Sequence, residues 1–558
     1  MKSTKKLAAA LLAIIMCLGS LAACGPKDSA PTDSAPIGSS PTDSAPIDSG
    51  GTTATEPGLV TPPPAGANLA DHIDIIVDSS LTIINPFMLA ATGGPAQKAA
   101  DMVHDKLLEH VKPGVLGPQL ATKWETDDYQ TYVFYLRDDV NFHNGDHFTA
   151  EDVLWNIEIS REFPGSPAFT RWSNVNTARV LDTYVIEMVL HEPNVDFPFE
   201  MADYQSSICS RGAYAENPDN PEWGHIGTGP FKVVAFSSND FLTVERFDDY
   251  WGELPPTRSI THWTIPEQST RTVMLQTGKA QVCFSLTPED LDILDASPDF
   301  NVFRVLLNDP TWLGFNNQGD EIMMDPNFRL AVAHALNVDD IATVAMGNWG
   351  KPVWDGNVWG PETQFRLEGL PKREYDPDLA REYLEQSVYS GETIEILAAV
   401  ASNSRAAQIV QLQLLDVGIS TNIETMELAG FLEAMAYNPE STVQMHIFSG
   451  GMLTVALQTM RLYYPGMNSN RININNDYLV ELIDKLAVTN VTAEREEIAY
   501  EIQRFFWEDI SAVPLFFRVS GIPAVNGIGG MKLTSDAANH SLRGLYWDLN
   551  ETPTSLLP

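Results

Sequence analysis

The chain has 558 residues, 44% hydrophobic and 19% charged, which is too apolar for a disordered polymer and long enough for about two to four core-forming units. Acidic residues number 74 against 34 basic, a formal net charge of −40; a field of that sign repels polyphosphate and excludes nucleic acid as a partner. Four cysteines exclude a disulfide scaffold or a multi-cysteine zinc protein. The acidic excess reads as a solvated surface, with attraction for cationic ligands as the alternative.

Lys2, Lys5 and Lys6 precede an apolar run over 7–18, shorter than the roughly 20 residues of a membrane-spanning helix, so the pattern is that of a cleaved signal. The run leads into Leu21-Ala22-Ala23-Cys24-Gly25, which resembles the bacterial lipobox, whose cysteine is acylated and becomes the mature N-terminus. That resemblance implies a signal peptide over 1–23 and a lipid anchor on Cys24. The alternative is an ordinary signal with a chance cysteine. Two acyl signals suffice for stable anchoring at the outer face of the cell membrane. Residues 28–66 are dominated by Ser, Thr, Pro, Ala, Gly and Asp, and the heptapeptide starting at Pro31 recurs at Pro41. Ordering such a segment costs backbone entropy without burial in return, so 24–66 is expected to be a flexible spacer. Folded structure is expected from about Asp71.

The spacing beyond Asp71 predicts mixed α/β structure. A buried strand is expected at 73–77 and an amphipathic helix at 96–109, with Ala99, Met102, Val103 and Leu107 on one face. A strand follows at 132–136. Thr149 and Asp152 form a helix-start signature, and Gly145 and Gly227 read as turn residues. Hairpins are expected at 180–190 and at 231–247. Asp325-Pro326 and Asp376-Pro377 each place a cap residue before a helix-starting proline. A helix from Arg405 should end at Gly418, with strands at 419–423 and 443–447, a helix at 492–507 and a last strand at 513–517. With Cys17 removed and Cys24 modified, Cys209 and Cys283 remain, and a disulfide and two buried free thiols are both open.

Several motifs stand in one order. They begin with Leu120-Ala121-Thr122-Lys123-Trp124, Tyr132-Val133-Phe134-Tyr135-Leu136-Arg137, Val140-Asn141-Phe142-His143-Asn144-Gly145 and Thr149-Ala150-Glu151-Asp152-Val153. Gly227-Thr228-Gly229-Pro230-Phe231, Asp249-Tyr250-Trp251-Gly252, Arg271, Leu275-Gln276-Thr277-Gly278, Phe315-Asn316, Arg329-Leu330-Ala331 and Tyr375-Asp376-Pro377 follow. The set, over about 71–530, resembles the family 5 extracellular solute-binding proteins, the peptide/nickel-type receptors of ABC importers. The resemblance implies an α/β, two-lobed periplasmic-binding-protein-like fold with an extra subdomain on the first lobe. By motif, the first lobe would comprise 67–92, 200–314 and 514–558, its subdomain 93–199 and the second lobe 315–513. Hinge strands would lie near Phe315-Asn316 and 513–517. Such a receptor works as a monomer with ABC permease subunits and their ATPases, and needs no cofactor.

A site between lobes should gather residues near the hinge. Trp312 and Asn316 stand there, and Trp349, Trp354 and Trp359 crowd one loop; packing and ligand stacking are both open to these rings. Phe448, Ser449, Gly450 and Met452 form a second candidate group after the expected strand. In peptide-binding relatives this region carries an aspartate for the peptide's α-ammonium, whereas 449–454 here has no carboxylate. A short peptide is the expected solute, with an oligosaccharide or a metal chelate as alternatives. Enzymatic chemistry finds no support. His143-Asn144-Gly145-Asp146-His147 reads as a turn, not a zinc helix; His191-Glu192 lacks a second histidine; no Gly-x-Ser-x-Gly turn or phosphate loop occurs. Metal ligands and catalytic residues are therefore not assigned. A cell-surface hydrolase and a sensory co-receptor are the alternatives of other classes.

Overall fold

The computed structural model describes residues 61–557 apart from 79–80, 82, 89–93, 113, 165, 400–401, 451–453, 462, 468 and 537–539. The signal, Cys24 and the spacer up to residue 60 lie outside the described residues. Among those described, no helix is long and apolar enough to cross a membrane.

Two long antiparallel neighbours, Phe300–Phe315 and Ala512–Val525, organise the main sheet. On one side of them stand Met445–Ser449, Ile394–Ala399 and Thr421–Met426; on the other stand Val282–Cys283, His72–Val77, Ser259–Thr264, Phe241–Arg246 and Phe231–Ser237. The long strands feed two separate apolar cores. Val305 and Ile522 pack with Ile73, Ile75, Phe231 and Ile260, whereas Leu313, Phe315 and Phe516 pack with Phe328, Val332, Ile396, Val410 and Ile447. A third core fills the space between the four-stranded sheet of Ala121–Glu125, Thr131–Leu136, Val185–Leu190 and Val175–Asp182 and the helix Ala150–Ser160. A fourth belongs to the helices Asp477–Val488 and Thr492–Asp509. Arg495 ties the last two bodies together by donating to both carboxylate oxygens of buried Asp196 at 2.9 and 2.5 Å.

The local signals in the sequence act as expected. The Asp152 carboxylate accepts from the Thr149 amide at 2.9 Å, Asp325 caps Pro326–Ala335 through the Asn327 amide, and Asp376 caps Pro377–Glu385. Gly145 has φ +89° in its turn, and Gly418 at φ +98° follows the helix Ser402–Asp416.

Four expectations need correction. The helix expected to reach residue 109 is Pro95–Val103, because Asp105 is drawn out of it into a buried site where Arg543 Nη1 (2.7 Å) and Trp251 Nε1 (2.9 Å) donate to its carboxylate. The strand expected at 443–447 is Met445–Ser449, so Phe448 and Ser449 lie within it. The last strand runs on to Val525 because it continues from one core into the other. Gly227, read as a turn residue, instead permits close approach: a Cβ there would lie 2.2 Å from the Val103 carbonyl oxygen. Of the two readings for the cysteines, free thiols hold. Cys209 and Cys283 are buried in different cores, and burial pushes the Cys283 thiol up to about 12.

Gly227→Ala should destabilise the fold by about 1–3 kcal/mol through that overlap, measured by urea denaturation. A second outcome concerns acid. Burial pushes His104, His446 and His540 down to about 3, and His143, His225 and His262 down to about 4. Above the ordinary value of 6.5 neither folded nor unfolded chain binds these protons. As pH falls below it, only the unfolded chain does, and stability is lost down to the folded values by about 1.4 kcal/mol per pH unit for each ring. His446→Leu should make the fall between pH 6.5 and about 4.5 shallower by one such increment.

Candidate functional site

The two long strands do not pair evenly. From Phe300↔Val525 to Leu306↔Val519 the register is regular; it shifts before Pro310↔Phe517 and again between Thr311↔Phe516 and Trp312↔Pro514. Proline has no N–H to give a ladder; Pro310 and Pro514 stand at these irregularities, whereas Pro523 pairs with Val302 in the regular part. Side chains occupy the first gap. Asn308 donates to Thr363 Oγ1 at 2.9 Å and accepts from the Glu362 amide at 2.8 Å, while its own amide donates to the Ser535 carbonyl. Asp309 pairs with Arg518, and Ser535 Oγ donates to the Glu362 carboxylate. This polar junction lies where the strands pass from the first core to the second.

Trp312 begins the far side of the junction and faces Phe448 across the ladder. It is 4% exposed and packs edge-on to His446 and Phe448, with ring centroids 5.2 and 5.7 Å away. Phe448 is half-buried and stacks on Phe431 at 5.8 Å. Next to it, Ser449 Oγ donates to Asn403 Oδ1 at 3.0 Å and lies 2.7 Å from Thr311 Oγ1. A Cβ on Gly450 would sit 2.2 Å from the Phe448 ring, so glycine alone lets the chain turn past it. Met452 lies outside the described residues.

The other candidates have different surroundings. Asn316 is buried, and its Nδ2 donates to the carbonyls of Ser441 and Val443 at 3.1 and 2.8 Å. Trp359 is fully buried in the helical core beside Ile502 and Phe506. Trp349 is also fully buried and donates from Nε1 to Asp292 at 2.9 Å. Of the three loop tryptophans only Trp354 is open, 49% exposed, lying on Phe517 at 4.7 Å with the Arg366 guanidinium 5.4 Å from its ring. The structure thus brings Trp312, Phe448, Ser449 and Gly450 together, sets Trp359 behind Trp312, and holds Trp354 against the other long strand.

Thr311, Asn308, Asn403 and the Asp309–Arg518 pair escaped the sequence reading. A signal did exist for Asn308, Asp309 and Thr311: Asn308-Asp309-Pro310-Thr311 is a polar, proline-containing interruption inside an otherwise apolar strand run. Hydroxyls, amides and aromatic rings make this a surface that can hydrogen-bond and stack. Among the described residues no group of three His, Cys, Asp or Glu is placed to hold a metal ion. A crevice lined by Val353, Asp355, Arg373, Trp507 and Pro514 has room for only about 30 Å³, a water-sized space against the roughly 300 Å³ of a ligand pocket.

Comparison with known proteins places this geometry. The glutathione-binding protein GsiB of Escherichia coli (strain K12) is 24% identical over 469 residues, 80% of this chain and 89% of that protein. The periplasmic binding protein DppA from Helicobacter pylori, in complex with the peptide STSA, superposes with a TM-score of 0.73 at 23% identity, covering 86% of this chain and 98% of its own. NikA from Brucella suis, in complex with Fe(III)-EDTA, gives 0.73 at 19% identity, with 85% and 99% covered. The two-lobed α/β fold of these periplasmic binding proteins is therefore the fold of this chain. The family described as bacterial extracellular solute-binding proteins, family 5 Middle, matches residues 115–471, well over half of the sequence, and the chain belongs to it.

Proposed function

We propose that the chain is the receptor of an ABC importer, tethered outside the cell membrane through lipidated Cys24, and that it delivers a short peptide unaltered to the permease. The carrying observation is the double register break in the two strands that join the cores. Broken pairing concentrates bending there, and ligand binding favours a closed form by the difference in its affinity for the two forms. The lobes are assigned to 67–92, 200–314 and 514–558, and to 315–513, with 93–199 as the subdomain. The bending point is assigned to 306–310 and 517–519, a few residues before Phe315-Asn316. Trp354, Phe448, Ser449, Gly450 and Met452 are assigned to the ligand face, Trp312 to its support, and Asn316 and Trp359 to the structure behind it.

The glutathione-binding protein GsiB and the peptide held by DppA support a peptide-like solute. NikA holds a metal chelate, which makes the cargo a question for experiment. The strand end after Ser449 carries no carboxylate through Thr454, so a peptide's ammonium must be met elsewhere or left solvated.

Thermal denaturation of the full chain with trialanine, glutathione, maltotriose and nickel–histidine tests the assignment. A peptide at about a hundred times its Kd should stabilise by about 2.7 kcal/mol. A response to maltotriose or nickel–histidine alone overturns the peptide. Ser449→Ala and Trp354→Ala should each weaken peptide binding by about tenfold with the unliganded melting point unchanged; unchanged affinity in both removes this face from the site.

A further inference from the structure

A second group of polar side chains gathers at the carboxyl end of the parallel strands His72–Val77 and Ser259–Thr264. Lys98, on the helix Pro95–Val103, is 8% exposed. Its ammonium lies 5.2 Å from the Phe284 ring and makes no ion pair or hydrogen bond among the described residues. The charges of Asp78 and Asp536 also act on it. Burial pushes this lysine down to about 8, which leaves it protonated at neutral pH.

His540 stands within the reach of that charge, and its tautomer follows from its contacts. The Thr534 amide donates to His540 Nδ1 at 3.1 Å, so Nδ1 carries no proton. Burial keeps the ring neutral, with a value of about 3. The single proton therefore sits on Nε2, a buried donor with no acceptor among the described residues. His262 also feels Lys98, and among the described residues neither of its ring nitrogens has a partner; the same holds for Thr264 Oγ1 two residues along the strand. Buried donors without acceptors are rare in folded chains. Beside His540, the segment 534–536 reaches the junction: the Ser535 carbonyl accepts from the Asn308 amide, and Ser535 Oγ donates to Glu362.

Resting on the receptor function proposed above, we propose that Lys98 and His540 Nε2 form a subsite for a carboxylate of the transported solute. One ammonium and one neutral N–H match a monoanion. A phosphate dianion would bring a second charge towards Asp78 and Asp536 with no cation to balance it. In a chain of net charge −40, an anionic group enters only where a dedicated cation offsets the field.

The test uses the full chain and Lys98→Met, which keeps the length of the side chain and removes its charge. Melting is followed in sodium acetate, chloride and phosphate at matched ionic strength. Acetate should raise the melting point of the native chain above that in chloride and phosphate, and Lys98→Met should abolish the difference. An acetate effect of equal size in Lys98→Met, or a larger effect of phosphate, overturns the carboxylate subsite. Binding of trialanine and of its C-terminal amide is then measured by calorimetry. The native chain should prefer the free acid by at least about tenfold, and Lys98→Met should bind both alike. Equal binding by the native chain, or no response to either acetate or peptide, overturns the subsite. An acetate response that depends on Lys98, without any peptide response, upholds the subsite and instead removes the peptide as cargo.

Discussion

Backbone hydrogen bonding in two shared strands sets the terms for the rest of the molecule. Phe300–Phe315 and Ala512–Val525 are buried, so every unpaired amide or carbonyl in them must find another partner. Pro310, Pro514 and Pro523 each remove a donor from the ladder, and the register slips beside the first two. Asn308, Asp309, Arg518 and Ser535 then supply the polar contacts that the ladder does not. A junction held by side chains is easier to bend than one held by an unbroken ladder, because side-chain contacts rearrange by rotamer changes while a ladder must shear as a unit. Irregular pairing and polar character thus meet at one place.

Candidate ligand groups gather at the same junction. Beyond the second shift, the strand carries Thr311 and Trp312 past Ser449 and Phe448 in register. Thr311, Ser449 and Asn403 form a hydrogen-bonded row at the end of Met445–Ser449, and Gly450 lets the chain leave without striking Phe448. Nothing in this row is charged. Charge lies instead in the first core, where Lys98 on the helix Pro95–Val103 stands among neutral histidines. A solute lying across the junction would meet aromatic faces and hydroxyls from one core and a cation from the other. That division suits a molecule with an uncharged body and an acidic end.

What could be read in advance was mostly local. Thr149 with Asp152, Asp325 with Pro326, and Asp376 with Pro377 mark helix starts because cap and helix are neighbours in sequence. The ordered set of motifs identified the family for the same reason. The helix from Pro95 was drawn too long because the groups that pull Asp105 out of it, Trp251 and Arg543, lie far along the chain. Gly227 gave no hint that it faces the Val103 carbonyl rather than a turn. Three tryptophans within one loop look alike as sequence, yet Trp349 and Trp359 are enclosed and Trp354 is open. Side-chain environment at a junction between cores is a property of the assembled fold, and periodicity does not report it.

The buried histidines carry the synthesis one step further. A neutral ring offers one donor and one acceptor, and the fold must satisfy both or leave one for something else. His143 is satisfied: its Nε2 lies 2.9 Å from the Gly229 carbonyl and its Nδ1 accepts from the Gly227 amide, and a Cβ on Gly229 would lie 2.6 Å from the Met102 carbonyl oxygen. That ring fastens the family's glycine motif to the start of the chain's folded part. His540 has the same chemistry, with the Thr534 amide on one side and, among the described residues, no acceptor on the other. The two rings, both held neutral by burial, therefore differ in whether the described residues supply the last acceptor. Where they do, the ring is a structural fastening; where they do not, as at His540 beside Lys98, the open donor is the one the proposed carboxylate subsite uses.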